Sequence, residues 1–157
     1  MDKKIFITGL GGQGIKLMTS ILSKILSSLN YNVSLMFDYD AAMRGGTIDA
    51  LLTYSDKKID NPLIEKADIL VKLSEDGEKI NSEQIICEEG LCKNGFPFKE
   101  IAKKEFDNEL VMNMLVLGYL LKTLNFDLKI IDLNKILPDK NKEQNIKAIK
   151  YGYNLTQ

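Results

Sequence analysis

Residues 7–16 read ITGLGGQGIK and place four of the chain's eleven glycines in the six positions from Gly9 to Gly14. Ahead of them KKIFIT (3–8) is a short β-rich run, and from Ile15 onward apolar residues recur at helical spacing. Strand, glycine loop, helix is the reading from which the rest of the fold follows. In that helix Leu17, Ile21, Leu22, Ile25, Leu26 and Leu29 form one face, Thr19, Ser20, Ser23 and Lys24 lie largely elsewhere, and Asn30 is a C-terminal stop. VSLMF (33–37) follows one helix later as a second strand, the βαβ spacing that favours parallel pairing and a right-handed crossover.

Working outward, IDALLTY (48–54) reads as a third strand with a polar exit to Pro62, and a short helix is expected around 62–66. DILVKL (68–73) is nearly continuous in apolar content, as a buried strand should be, and EQIICEE (83–89) is a last strand. Beyond Pro97 the pattern turns helical, first in KEIAKKE (99–105) and then in NELVMNMLVLGYLLKTL (108–124). The second segment is apolar almost all round and about as long as a membrane span. Glu109 and Asn113 interrupt it, so it reads as a helix buried in a core or a subunit contact. Residues 129–151 add one or two helices around Pro138. No repeat, low-complexity tract or linker divides the chain, which reads as a single α/β domain over 1–157, layered around a sheet.

Composition narrows the function. With 157 residues and 45% hydrophobic content the chain can bury a core without disulfides or metals. A formal charge of -1 argues against nucleic acid as a partner. Cys87 and Cys92 are too few for an iron–sulfur cluster or a four-cysteine zinc site and read as buried or idle thiols. The N-terminus lacks the apolar core of a signal peptide and no apolar run reaches about 18 residues, so a cytoplasmic protein without a membrane anchor is expected. The chain has no histidine and no tryptophan, so the commonest general base and the commonest neutral metal ligand are both missing. That argues against self-contained hydrolase or metal chemistry.

Gly9-Leu10-Gly11-Gly12-Gln13-Gly14 satisfies G-x-G-x-x-G between a predicted strand and a predicted helix. Glycines there permit positive φ and close backbone approach, and unpaired N–H groups at a helix start attract a phosphate. A tight turn that needs glycine only for its backbone fits the same residues. Gln13 sharpens the pattern, because a carboxamide at a helix start donates and accepts at once. Asp38 stands where a ribose-binding acid of a nicotinamide site is expected, though a plain loop acid fits equally. A second candidate is DYDAAMRGGT (38–47). Arg44 is the only arginine among 21 basic side chains, and Gly45-Gly46 beside it lets backbone approach a ligand or a neighbouring chain. Such a guanidinium suits phosphate or carboxylate, although a structural ion pair is the plain alternative. Loops leaving neighbouring strands of an open α/β sheet share one crevice, so the two glycine motifs are expected to face each other. Asn113 and Gly118 in the apolar helix read as architecture, an amide needing partners and a close helix contact.

GLGGQGIKLM, YDAAMRGGTIDALLTYSD, ADILVKLSE, NMLVLGYLL and NKEQNIKAIKYG, in that order, resemble the gamma subunit of 2-oxoacid:ferredoxin oxidoreductases. The resemblance runs from the first strand to about Gly152. It implies the domain III fold of the single-chain pyruvate enzymes, a Rossmann-like three-layer α/β sandwich around a mainly parallel sheet. It further implies a subunit of an assembly that oxidatively decarboxylates a 2-oxoacid, passes the acyl group to coenzyme A as co-substrate and reduces ferredoxin. Thiamine diphosphate, Mg and iron–sulfur clusters would belong to sister subunits: alpha and beta, with a ferredoxin-like delta subunit as a further candidate. The isolated chain would be inactive. Carried over as binding positions are Gly9, Gly11, Gly12, Gln13 and Gly14, with Arg44, Gly45, Gly46 and Thr47. Met43-Arg44-Gly45-Gly46-Thr47 leans to the branch acting on 2-oxoglutarate, although that branch usually carries Tyr-Gly-Pro-Glu where this chain has Tyr39-Asp40-Ala41-Ala42.

Overall fold

The structure is a computed structural model that describes residues 2–39, 46–77 and 79–156. The chain divides into two compact units, with the boundary between Phe96 and Pro97.

The first unit is a five-stranded sheet with one helix. Its strands are β1 (Lys3–Leu10), β2 (Asn32–Tyr39), β3 (Thr47–Ser55), β4 (Lys66–Lys72) and β5 (Asn81–Cys87), in the order β2-β3-β1-β4-β5. β1 pairs parallel with β4, and β4 with β5, while β3 pairs antiparallel with both β1 and β2. Four strands therefore point one way and β3 alone runs against them, so the sheet is mainly parallel, as expected. The expected pairing of the first two strands is corrected, however. The strands β1 and β2 share a direction but β3 lies between them, because the short β2–β3 connection lets those two strands pair as neighbours and β3 then takes the place beside β1.

The helix α1 (Ile15–Ser28) packs against β1, β2 and β3. It buries Ile15, Met18, Thr19, Ile21, Leu22, Ile25 and Leu26. Two assignments to its faces change: Leu17 is 40% exposed, and Thr19 is fully buried. Burial of Thr19 is tolerated because its hydroxyl donates to the Ile15 carbonyl one turn back, at 2.8 Å. The helix stops where expected, with Asn30 at φ 65 and the Tyr31 N–H returning to the Leu26 carbonyl. On the other side of the sheet Phe6, Ile64, Ala67 and Leu70 form a cluster that Leu51 and Ile80 extend.

No helix forms around 62–66. The Asn61 side chain accepts from the Leu63 N–H at 3.0 Å, residues 61–64 run without regular structure, and Ile64 drops into the cluster beneath Phe6 before β4 begins at Lys66. Cys87 and Cys92 form a disulfide with their Cα atoms 6.2 Å apart, which corrects the expectation of idle thiols. The turn beyond β5 brings them together: Phe96 N–H donates to the Cys87 carbonyl and Glu89 N–H to the Phe96 carbonyl, both at 2.9 Å.

The second unit contains α2 (Phe98–Phe106), α3 (Met112–Thr123), α4 (Leu133–Ile136) and α5 (Lys142–Tyr153). The segment expected as one helix over 108–124 is broken at its start. Asn108 accepts from the Leu110 N–H and caps a 3-10 turn, Glu109–Val111, from which α3 continues. That helix is buried from Met112 to Gly118 and again at Leu120 and Leu121, with Lys122 exposed near its end, and Asn113 within it is 4% exposed with its side-chain oxygen accepting from the Met114 N–H. Gly118 makes the close helix contact expected of it. A Cβ there would strike the Ile149 carbonyl of α5, and a Cβ on Gly152 would strike the Leu115 carbonyl of α3. Among the described residues no helix is long and apolar enough to cross a membrane.

Candidate ligand site at the glycine loop

The loop between β1 and α1 is shaped by positive φ angles at Gly12 (91°) and Gly14 (75°), which only glycine adopts freely. Gly14 is the N-cap, so the N-cap residue brings no side chain to cap the first N–H groups of α1, and its first turn holds no acidic residue. The amides of that turn have no partners within the helix, and its macrodipole favours an anion there. Among the described residues, a Cβ on Gly12 would meet nothing within 4 Å. Gly9 faces the opposite situation: a Cβ would come within 2.6 Å of Ile15 and 2.7 Å of Gln13 Oε1.

Gln13 is engaged at both ends of its carboxamide. Its Oε1 accepts from the Leu10 N–H at 2.6 Å and its Nε2 donates to the Leu73 carbonyl at 3.0 Å. The expectation that this side chain donates and accepts at once is met by backbone groups of β1 and of the residue following β4.

The two glycine motifs meet, as the strand order requires. Leu10 pairs with Thr47 at the head of β3, and one residue further the Gly11 N–H donates to the Gly46 carbonyl at 3.0 Å. Gly46 and Thr47 thus line the same edge as Gly11. Arg44 and Gly45 lie outside the described residues, as do Asp40–Met43. Asp38 is exposed on β2, opposite Asp49 of β3 and one strand removed from β1. A ribose-binding acid belongs at the end of the strand adjacent to the glycine loop. With β3 in that place, the nicotinamide reading loses its acid.

Sequence reasoning passed over Lys16. This side chain stands in the first turn of α1 with its Nζ 4.7 Å from the centroid of the Tyr39 ring, and Tyr39 is 47% exposed at the end of β2. The signal was present: a cation in a first turn opposes the helix dipole, and that conflict calls for an anion or a π face nearby. Below the loop, a cavity of about 180 Å³ lies at the carboxyl ends of β1, β4 and β5, with Thr8, Lys72, Gly77, Lys79 and Cys92 in its wall. A larger hollow of about 1110 Å³ lies against α5, bears charges of both signs and includes no residue of the two glycine motifs. Among the described residues no group of three or more histidine, cysteine or acidic side chains is placed to hold a metal.

Comparison with known proteins agrees with this architecture. The family described as pyruvate ferredoxin/flavodoxin oxidoreductase matches residues 4–96 and 88–155. The chain is 29% identical to the 2-oxoglutarate synthase subunit KorC of Archaeoglobus fulgidus, over 98% of this chain and 88% of that protein. In fold it resembles pyruvate oxidoreductase subunit PORC from Thermotoga maritima, with a TM-score of 0.71 at 19% identity, covering 97% of this chain and 95% of the other. It also resembles the 2-oxoglutarate:ferredoxin oxidoreductase of Magnetococcus marinus, solved with 2-oxoglutarate, coenzyme A and succinyl-CoA bound, with a TM-score of 0.70 at 18% identity over 97% of this chain and 30% of that one. A mainly parallel sheet, a glycine loop leading into a helix with glycine at its N-cap and a family match spanning both units lead to one conclusion: the chain belongs to the pyruvate ferredoxin/flavodoxin oxidoreductase family.

Proposed function

We propose that this chain is the gamma subunit of a 2-oxoacid:ferredoxin oxidoreductase, with 2-oxoglutarate as the favoured substrate, and that both units act as one family domain in it. The reaction is the coenzyme A-dependent oxidative decarboxylation of the 2-oxoacid to acyl-CoA and CO2. The observation that carries this reading is the start of α1 at the glycine loop, where the N-cap Gly14 brings no capping side chain, in a chain aligned with KorC over 98% of its length. Bound coenzyme A supplies the thiol that receives the acyl group. On this chain, the amides of Gly12 and the first turn of α1, with Lys16, fit a phosphate of that co-substrate, since they offer N–H donors and positive charge, and among the described residues no atom stands within 4 Å of where a Gly12 Cβ would be. Gly9, Gly11, Gly14, Gly46 and Thr47 shape the edge, and Arg44 and Gly45 are assigned to the same site by their place in the sequence.

Thiamine diphosphate, Mg and the iron–sulfur clusters are assigned to alpha and beta subunits, and a ferredoxin-like delta subunit and ferredoxin complete the electron path in the cytoplasm. The test is to recover the tagged chain from its own cells with whatever accompanies it and assay viologen reduction with a series of 2-oxoacids. Co-purifying subunits with activity that requires coenzyme A and prefers 2-oxoglutarate are expected. Recovery of the chain alone, or activity indifferent to coenzyme A, overturns the proposal.

A further inference from the structure

The hydrogen bonds of Gln13 fall at a particular place in the sheet. β1 and β4 are parallel, with Thr8 opposite Lys72, and the last rung between them is the Leu73 N–H donating to the Thr8 carbonyl at 2.9 Å. In a parallel ladder the bonds are evenly spaced, so the next rung after this one joins the Leu10 N–H to the Leu73 carbonyl. Those are the two groups that Gln13 bridges: Leu10 N–H to Oε1 at 2.6 Å, and Nε2 to the Leu73 carbonyl at 3.0 Å. A planar carboxamide, chemically equivalent to a peptide group, is inserted where the strands would otherwise bond directly.

We propose that Gln13 is a positioning residue whose carboxamide stands in for the missing rung and holds the carboxyl ends of β1 and β4 one amide apart, thereby fixing the glycine loop against the segment that follows β4. Three features of the site support this. At neutral pH an amide supplies both a donor and an acceptor in this geometry, whereas ionised glutamate lacks the donor, and methionine lacks the donor and accepts only weakly. Gly9 has no room for a Cβ because Gln13 Oε1 and Ile15 fill that space, so the glycine is there to seat the wedge. The crevice of an open α/β sheet lies outside the carboxyl ends of its strands, and the split falls at that end of β1 and β4. Gln13 therefore acts through Leu10 and Leu73 and does not itself touch a ligand.

The structural part of the proposal stands apart from the proposed function, and the assignment of the opened crevice to coenzyme A rests on it. The test is hydrogen exchange on the full chain, comparing wild type with Gln13→Ala and Gln13→Glu across a pH series after correction for intrinsic exchange. In Gln13→Ala the Leu10 amide and the Leu73 amide, the latter sixty residues from Gln13 in sequence and bonded to Thr8 in the neighbouring rung, are expected to exchange at least about tenfold faster together, from loss of a shared pair of hydrogen bonds of about 1 kcal/mol each. In Gln13→Glu the ionised carboxylate still accepts from the Leu10 N–H but cannot donate to Leu73, so the Leu73 amide alone should lose protection where the carboxyl is ionised and regain it as pH falls and the protonated acid again donates to the Leu73 carbonyl. Wild type should show no such recovery. In Gln13→Ala, faster exchange at Leu10 with Leu73 unchanged, or a Gln13→Glu profile independent of pH, would overturn the wedge. In the assembled enzyme Gln13→Ala should raise KM for coenzyme A more than kcat falls. Unchanged kinetics alongside the coupled exchange would leave the wedge intact and overturn the assignment of its crevice to coenzyme A.

Discussion

Lys16 illustrates how a single side chain reports on what a backbone is built to hold. A cation in the first turn of α1 opposes the dipole by about 0.3–1 kcal/mol, and its place over the Tyr39 ring returns about 0.5–1 kcal/mol. These terms nearly cancel in the free protein, so the residue is not there for stability. On the proposed reading, its value appears when an anion occupies the loop. Lys16→Ala should accordingly leave the melting temperature of the chain within about 2 °C while weakening coenzyme A binding by the equivalent of about 1–2 kcal/mol, roughly a five- to thirtyfold rise in KM in the assembled enzyme. Calorimetry of the chain and steady-state kinetics of the complex check the two halves. A stability loss with unchanged KM would make Lys16 a structural residue.

At the scale of elements, the tightest packing is in the helical unit. α3 and α5 approach so closely that each presents a glycine to the other's backbone, Gly118 against Ile149 and Gly152 against Leu115. Alanine in a helix interior is ordinarily favoured over glycine by about 1 kcal/mol. Here it collides with carbonyl groups that have no rotamer to move. Gly118→Ala and Gly152→Ala are each expected to destabilise the chain by about 2 kcal/mol or more net, measurable as a lower denaturant midpoint. Neutral or stabilising alanines would mean that the two helix backbones do not touch at these glycines. The glycine contact was legible in the sequence, because a lone Gly118 weakens an otherwise apolar helix unless another backbone comes close to it. The break ahead of α3 was not, since Asn108 and Glu109 suit a helix start, a 3-10 turn or a cap equally well. The disulfide was hidden for a similar reason: Cys87 and Cys92 meet only because backbone hydrogen bonds between Cys87, Glu89 and Phe96 fold the intervening turn. The helix expected at 62–66 failed because local propensity yielded to the burial of Ile64.

For the whole molecule, the sequence carried the alternation of strands and helices and the glycine loop, while the order of the strands depended on which partner β3 would choose. That choice also determines how the sheet responds to alkali. β3 carries Tyr54 into the sheet, where it is 7% exposed, meets Tyr31 edge-on at 5.2 Å and lies in register with Lys3 of β1. Burial, reinforced by Tyr31 and by the negative charge of Asp68, raises its pKa from the ordinary 10.0 to about 12. The folded phenol keeps its proton through this interval while the unfolded one releases it, so the unfolded state binds fewer protons and stability falls as pH rises. The contribution is fully present below pH 10, is lost progressively between about 10 and 12, and amounts to on the order of 2 kcal/mol. Other tyrosines and lysines titrate nearby, so the measurement is a difference: denaturant midpoints of wild type and Tyr54→Phe at pH 9 and pH 12. Tyr54→Phe should lose less stability than wild type between the two conditions, because it has no phenol to ionise on unfolding. Equal losses would show that Tyr54 titrates alike in both states, and that the inner end of β3 is open to water.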